Sequence, residues 1–272
     1  MKMDTLFRNS RRKLSQGLLF WREAGEGTPV IFLHGAWNDS SQWVSVMDSL
    51  SRNFHCLSPD LLGFGESESP NVHHSIDLQV ECIAEFLQAV KLEKVYFVGY
   101  SLGAWIAASY ALKYPEQVYG LVLLAPEGVG IEGQEKYLRK MRRLVKNPPI
   151  LPKVLKSFRP FKKIWGLQER FDKDFDLRQK LLEYPTSCQL LFQRRQSEIE
   201  AELLHTRLHS MQVPVLILQG GQDLLDAVVK TQTYTQLLPK VELQIIAHAG
   251  NDLPGVCAGI VARDIQNFIN AN

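Results

Sequence analysis

Residues 95–105 constrain this chain more than any other stretch. Val95-Tyr96-Phe97-Val98 is β-branched and aromatic, and it ends in Gly99-Tyr100-Ser101-Leu102-Gly103. A small-residue run of helical character follows from 104 to 111. The pattern G-x-S-x-G between a strand and a helix describes a sharp turn that presents a serine hydroxyl. Gly99 and Gly103 let strand and helix approach without Cβ clashes. Ser101 Oγ is then expected at the carboxyl end of a strand, where open α/β sheets bind ligands. The helix start adds backbone N–H groups and a positive dipole end. A glycine-flanked serine turn also occurs as plain structure, but the strand–turn–helix setting favours function.

The rest of the chain reads as strand and helix in alternation. Strands are expected at 17–23, 30–33, 54–58 and 119–124, and again at 213–218 and 241–247. The run 30–33 is wholly apolar, as in a buried parallel strand. Ser40 and Ser41 are expected to cap a helix reaching about residue 50. Ser75 opens a second, with Ile76, Val80, Ile83, Ala84 and Leu87 at helical spacing. Ile260, Ile265, Phe268 and Ile269 mark a terminal helix. Between 128 and 211 no clear strand appears, a stretch of roughly eighty residues that is too long for a bare loop. Its helical stripes, divided by prolines at 148, 149, 152, 160 and 185, read as a cap. The expected fold class is α/β: a mostly parallel central sheet with helices on both faces plus an inserted helical cap. The core comprises 1–127 and 212–272, and the cap 128–211.

Composition narrows the partners. A chain of 272 residues, 45% hydrophobic, suits one large α/β domain with an insertion. Net charge is +2, which carries no nucleic-acid signature. Cys56, Cys82, Cys188 and Cys257 are scattered without metal-ligand spacing, as reduced thiols of a cytoplasmic protein would be. The basic, polar N-terminus has no apolar core of signal-peptide length, and no apolar run reaches the ~18 residues of a membrane span. No metal and no cofactor is expected.

At this point the chain resembles the α/β-hydrolase family. The residues that carry the resemblance are His34-Gly35-Ala36-Trp37, then 59–67 (Pro-Asp-Leu-Leu-Gly-Phe-Gly-Glu-Ser), 99–103, and Gly220-Gly221-Gln222-Asp223. The resemblance covers the whole length except the cap. It makes Ser101 the nucleophile, a poor one until an adjacent base activates it. Family members that open epoxides or displace halide look like aspartate enzymes here, so serine points to acyl transfer. The resemblance places the oxyanion hole at the backbone N–H groups of Leu102 and Ala36, with Trp37 as the neighbouring alternative. Such donors are worth about 3 kcal/mol each. His34 reads as structural. Asp223 stands in the position of the family's acid, although an aspartate there also suits a helix cap. Asp226 and Glu127 are lesser candidates. Trp37, Tyr100 and Asn251 are expected around the substrate.

The base departs from the family pattern. Similar proteins read roughly Ala-Gly-His after the last strand. Here the text is Ala247-His248-Ala249-Gly250-Asn251-Asp252, with Asn251 in the histidine slot and His248 three residues earlier. Asparagine has no titratable proton near neutral pH, and losing a triad base costs on the order of 10⁶ in turnover. Three readings stay open. A re-formed loop brings His248 to Ser101; His248 is an ordinary strand-end histidine and the protein is catalytically weak or dead; or position 251 is an altered residue whose parent is histidine. His55, His73, His74, His205 and His209 fall outside the slot.

The expected function is therefore hydrolysis of a small or acyl-chain ester through Ser101, Asp223 and His248. The alternatives are an inactive binding or scaffold protein on the same fold, or a non-hydrolytic lyase. Twelve Lys and Arg residues lie between 136 and 170. They read as a solvated helical face, or as a surface that attracts anionic substrates or touches an anionic membrane peripherally.

Overall fold

The computed structural model describes residues 6–131, 133–146 and 168–272. The chain divides into two units, residues 1–131 with 202–272, and residues 132–201.

The first unit is built on an eight-stranded sheet: β1 (Arg8–Lys13), β2 (Leu18–Ala24), β3 (Thr28–Leu33), β4 (Phe54–Pro59), β5 (Val95–Tyr100), β6 (Val118–Leu124), β7 (Val215–Gly220) and β8 (Val241–Ile246). The spatial order is β1-β2-β4-β3-β5-β6-β7-β8. From β4 to β8 every neighbouring pair is parallel, whereas β1 and β2 run antiparallel. The helices of this unit are α1 (Val44–Leu50), α2 (Ile76–Ala89) and α3 (Leu102–Lys113), followed after the insertion by α8 (Leu225–Leu237), α9 (Leu253–Val256) and α10 (Ala258–Ala271).

Strand period sorts the core into two faces. Val30, Phe32, Val98, Val122, Leu216 and Leu218 point one way and pack with Trp43, Met47 and Leu50 of the α1 region and with Val261, Ile265 and Phe268 of α10. The intervening residues point the other way, where Phe97 meets Tyr110 of α3 at 4.8 Å between ring centroids and Trp21 meets Phe86 of α2 at 5.3 Å. Central strands buried on both faces carry apolar residues at nearly every position, as Val215-Leu216-Ile217-Leu218 does.

Two local features differ from the sequence expectation. The strand β1 was not foreseen, because five of its six residues are exposed and four are Arg or Lys. It is an edge strand whose cations pair with acids of β2 and the β4–α2 connection, among them Arg8 with Glu23 and Lys13 with Glu68. Ser40 and Ser41 do not cap the helix after β3. Asp39 does, accepting from Ser41 N, and a 3₁₀ turn (Ser40–Trp43) precedes α1. Asp and Ser are comparable caps, so the path of the chain, which gives Asp39 the extended backbone of the cap position, selects it. The Ser75 cap is as expected, its side chain accepting from Leu78 N.

The second unit holds α4 (Glu135–Lys146), α5 (Gln168–Leu182), α6 (Pro185–Cys188), a π-helical turn (Gln189–Gln193) and most of α7 (Gln196–Glu202). Met141, Val145, Leu181, Cys188 and Phe192 form its small core. Lys140 pairs with Asp174 and Arg142 bonds Gln196, so part of the basic face is internally matched. Lys153, Lys156, Arg159, Lys162 and Lys163 lie outside the described residues, as does the side chain of Arg170. All four cysteines are free, and burial pushes the thiols of Cys56 and Cys82 up to about 12. Among the described residues no helix is long and apolar enough to cross a membrane.

Candidate active site

The turn at Ser101 forms where β5 ends and α3 begins. Ser101 adopts φ 51° and ψ −111°, one of three positive-φ non-glycine residues described. Such backbone costs on the order of 1–3 kcal/mol and persists only where the surroundings over-determine it. Here they do. Ser101 N–H donates to Leu124 O at 2.9 Å at the end of β6, and Ser101 O accepts from Glu127 N–H at 3.3 Å. Close approach needs a missing side chain at Gly103: a Cβ there would lie 2.1 Å from Leu33 O. The Ser101 hydroxyl caps nothing and is half-buried.

The end of β3 lies beside this turn. A Cβ on Gly35 would stand 2.8 Å from the Tyr100 ring and 3.7 Å from Ser101 Cβ. Gly35 N–H donates to Gln42 Oε1 at 3.0 Å, and buried Ala36 and exposed Trp37 follow it in the chain. Leu102 occupies the first position of α3, where a backbone N–H has no intrahelical acceptor. His34 is fully buried. It accepts from Leu61 N–H at Nε2 (3.0 Å), so its proton sits on Nδ1 and is donated to Gly35 O at 2.8 Å. Burial holds its pKa below the ordinary value despite the opposing bond to Gly35. Both ring nitrogens are thereby engaged, and Nε2 ties the end of β3 to the loop at 59–67.

That loop is organised by buried Asp60, which accepts from Ser40 N–H and Glu66 N–H at 2.7 Å each. Its role was not foreseen from the sequence, although an aspartate between glycine-punctuated turns is the signal for it.

Asp223 follows β7 and the Gly220-Gly221 turn. Its Oδ2 accepts from Gln219 Nε2 at 3.0 Å and its Oδ1 from Leu224 N at 2.7 Å. It does not cap the next helix; Leu224 holds the cap position and α8 begins one residue later. Asp226 lies exposed in the first turn of α8. The loop after β8 folds against this turn through Gly221 N–H to Ile246 O (3.0 Å) and Gln222 N–H to Ala249 O (2.9 Å). Tyr100 joins the pieces: its hydroxyl donates to the Asn251 carbonyl. Burial, and then the charges of Asp223, Asp252 and Glu127, push the Tyr100 phenol well above its ordinary value.

The structure thus brings Ser101, Tyr100, Gly35 and Leu102 together, with the Asn251 carbonyl bonded to Tyr100. Among the described residues no hydrogen bond joins His248 to Ser101, Tyr100 or Asp223. His248 is exposed in the turn after β8 and makes no hydrogen bond or ion pair with any described residue. His205 and His209 are also exposed, and His55 bonds Glu23 at 2.8 Å. Glu127 is held by Lys230 Nζ, 2.7 Å from both carboxylate oxygens. Sequence reasoning missed Gln219, Lys230 and Thr231. A glutamine closing an otherwise apolar strand was the available signal for the first. Among the described residues no three His, Cys, Asp or Glu side chains converge as metal ligands.

Comparison with known proteins agrees with this architecture. The sequence profile of the alpha/beta hydrolase fold matches residues 28–253. The chain is 34% identical over 117 residues to a 2-hydroxy-6-oxo-2,4-heptadienoate hydrolase of Pseudomonas putida, a match covering 40% of this chain and 41% of that one. It spans between 32% and 41% of the length of the curated relatives that match most strongly over that region. Monoacylglycerol lipase ABHD6 of Homo sapiens is 25% identical over 241 residues, 84% of this chain and 71% of its own. The crystal structure of a putative lipase from Acinetobacter baumannii superposes with TM-score 0.76 at 20% identity, covering 97% of this chain and 91% of that one, a likeness of fold alone.

Proposed function

Because the chain belongs to the α/β-hydrolase family, we propose that it is a serine hydrolase acting on a small or acyl-chain carboxylic ester. Ser101 Oγ attacks the ester carbonyl and its proton passes to a base. The oxyanion lies between the N–H groups of Leu102 and Ala36, with Trp37 and Tyr100 lining the acyl site. Collapse expels the alcohol, which takes the proton, and water then releases the acid from Ser101 by the same steps in reverse. Asp223 is the acid that orients the base. His248 is that base, reached by rearrangement of the exposed turn it occupies. The single observation that carries this reading is the backbone of Ser101 at φ 51°, held by bonds to Leu124 and Glu127. The helical insertion, residues 128–211, acts as a cap that sets specificity, and its basic face favours anionic substrates or peripheral contact with an anionic membrane. The name of the monoacylglycerol lipase relative supports the ester class. Free thiols at all four cysteines support a cytoplasmic setting.

A second reading has its own observation. The Asn251 backbone carbonyl is fastened to Tyr100 in the base's slot, while His248 makes no hydrogen bond to any described residue, and on this reading the protein is a catalytically attenuated member of the family. One comparison separates the two. Wild type, Ser101→Ala, His248→Ala and Asn251→His are assayed for fluorophosphonate labelling and for turnover of p-nitrophenyl esters. The first reading expects labelling that Ser101→Ala abolishes, loss of turnover by about 10³-fold or more in His248→Ala, and no gain in Asn251→His. An inert wild type that Asn251→His awakens establishes the second. Folded protein that never labels, in any variant, overturns the hydrolase reading.

A further inference from the structure

We propose that Lys230 and Thr231, neighbours on α8, are positioning residues that hold the Ser101 turn and the Asp223 carboxylate in register with each other. The inference rests on the assignment of Ser101 and Asp223 made above. Both side chains are polar yet buried, at 5% and 1% exposure, where a helix packed on a sheet normally presents apolar groups. Each begins a chain of hydrogen bonds that ends at one of these two residues, at the backbone carbonyl of Ser101 or at the carboxylate of Asp223.

The Thr231 chain runs to the acid. Thr231 Oγ1 donates to Gln219 Oε1 at 2.6 Å. That fixes the Gln219 amide, whose nitrogen then donates to Asp223 Oδ2 at 3.0 Å and to Gly220 O at 3.1 Å. The reverse amide orientation would turn its oxygen onto a carboxylate and a carbonyl, both acceptors, so one orientation is enforced. Each Asp223 oxygen then has one donor from within its own turn and keeps a lone pair for a base.

The Lys230 chain runs to the nucleophile. Its ammonium lies 2.7 Å from both oxygens of Glu127, and Tyr234 of the same helix donates its hydroxyl to Glu127 O at 2.6 Å. Glu127 is gripped at side chain and backbone, and its N–H is the one that reaches Ser101 O. The carboxylate of Glu127 is committed to Lys230, which makes this residue a fastening rather than the acid of a triad. One turn of α8 therefore braces the ends of β6 and β7 together.

A misplacement of about 1 Å at a reactive group costs up to about 100-fold in rate. Phosphonylation of Ser101 by a fluorophosphonate is to be measured for wild type, Thr231→Val, Thr231→Ser, Lys230→Met/Glu127→Gln and Lys230→Arg, resolved into saturating rate and half-saturating concentration. Hydrogen exchange of the Gln219 side-chain amide and the Glu127 backbone amide is followed by NMR in the same proteins. Thr231→Val and the Lys230→Met double variant are expected to lower the saturating rate by about 10–100-fold with half-saturation unchanged. Thr231→Val should also expose the Gln219 amide, and the double variant the Glu127 amide. Thr231→Ser and Lys230→Arg should keep rate and protection. Wild-type rates in the disruptive variants, or equal losses in Thr231→Ser and Thr231→Val, overturn the proposal. A wild type that is never phosphonylated sinks the hydrolase reading instead, and the exchange data then decide the brace: protection lost only in the disruptive variants upholds it, and protection unchanged overturns it.

Discussion

Replacing Gly103 with alanine tests whether the close approach of α3 to β3 is what assembles the oxyanion donors. The added Cβ would lie 2.1 Å from Leu33 O, 2.5 Å from Leu33 C and 2.7 Å from His34 O. An ordinary carbon contact is about 3.5 Å, so α3 and the end of β3 must part by roughly 1 Å. The obstacle is backbone of a central strand bonded on both sides, by β4 and β5, and it cannot turn aside as a side chain does. Overpacking of this kind costs about 1–3 kcal/mol, and the upper end applies here. Alanine's better helix propensity returns up to about 1 kcal/mol. The net loss is about 2 kcal/mol, or a fall in Tm of about 4–8 °C. The same displacement moves Leu102 N–H away from the 34–37 turn, and weakening one oxyanion donor costs about 10²–10³-fold. Urea unfolding and fluorophosphonate labelling, both at a temperature where the variant is folded, read the two effects. Gly259→Ala on α10 is the control: nothing lies within 4 Å of its added Cβ, so stability should hold or rise by a few tenths of a kcal/mol with labelling unchanged. Gly103→Ala with an unchanged unfolding midpoint would refute the packing argument. A destabilised Gly103→Ala that labels at the wild-type rate would refute the link to the site.

Two further outcomes follow from buried and paired carboxylates. Burial pushes Glu23 upward, but the hydrogen bonds from Arg8, His55 and Trp21 outweigh it and hold the carboxyl at about 2. A carboxyl depressed in the folded state contributes stability above its unfolded pKa of about 4.3 and loses it as pH falls through the folded value. Wild type should therefore lose urea resistance faster than Glu23→Gln between about pH 5 and pH 2, and parallel curves would contradict this. Asp60→Ala strands the N–H groups of Ser40 and Glu66, each at about 1–3 kcal/mol, so a loss of about 2–4 kcal/mol is expected by urea titration, and one below about 1 kcal/mol would show that other acceptors take over.

The buried part of the fold was legible because a parallel strand covered on both faces has no polar alternation to obscure it. Val30-Ile31-Phe32-Leu33 and Val215-Leu216-Ile217-Leu218 could be read at sight, and the Gly99–Gly103 turn between them fixed where a site would form. The edge was not legible. In β1 the residues Arg8, Arg11 and Lys13 pair with distant acids, Arg12 donates to the Ala89 carbonyl, and the strand pairs with the backbone of β2, contacts that no local pattern encodes. The helix start after β3 was misplaced by one or two residues because Asp39, Ser40 and Ser41 are all competent caps and only the path of the chain selects among them. In the site, the nucleophile turn was explicit in the sequence. The support behind it was not, since the bonds Thr231–Gln219–Asp223 and Lys230–Glu127 join residues up to 103 positions apart.

The serine at 101 bears on whether the fold is kept for chemistry. Its φ of 51° lies where glycine is unstrained and every other residue costs free energy. Glycine there would relieve the turn, and the neighbours at 99 and 103 are glycine already. A scaffold that needed only to connect β5 to α3 gains nothing from a hydroxyl at this position, since the side chain caps no helix. What the hydroxyl adds is a polar atom at the carboxyl edge of the sheet, above a first-turn amide and beside the 34–37 turn. The strain argues for use of that atom, while Asn251 argues against an ordinary triad, and the two are compatible if proton transfer is the step that differs from the family's usual course. That reconciliation has a direct consequence: Ser101→Gly should stabilise the fold by up to about 1–2 kcal/mol while abolishing labelling, and a destabilised Ser101→Gly would mean that the serine serves the turn itself.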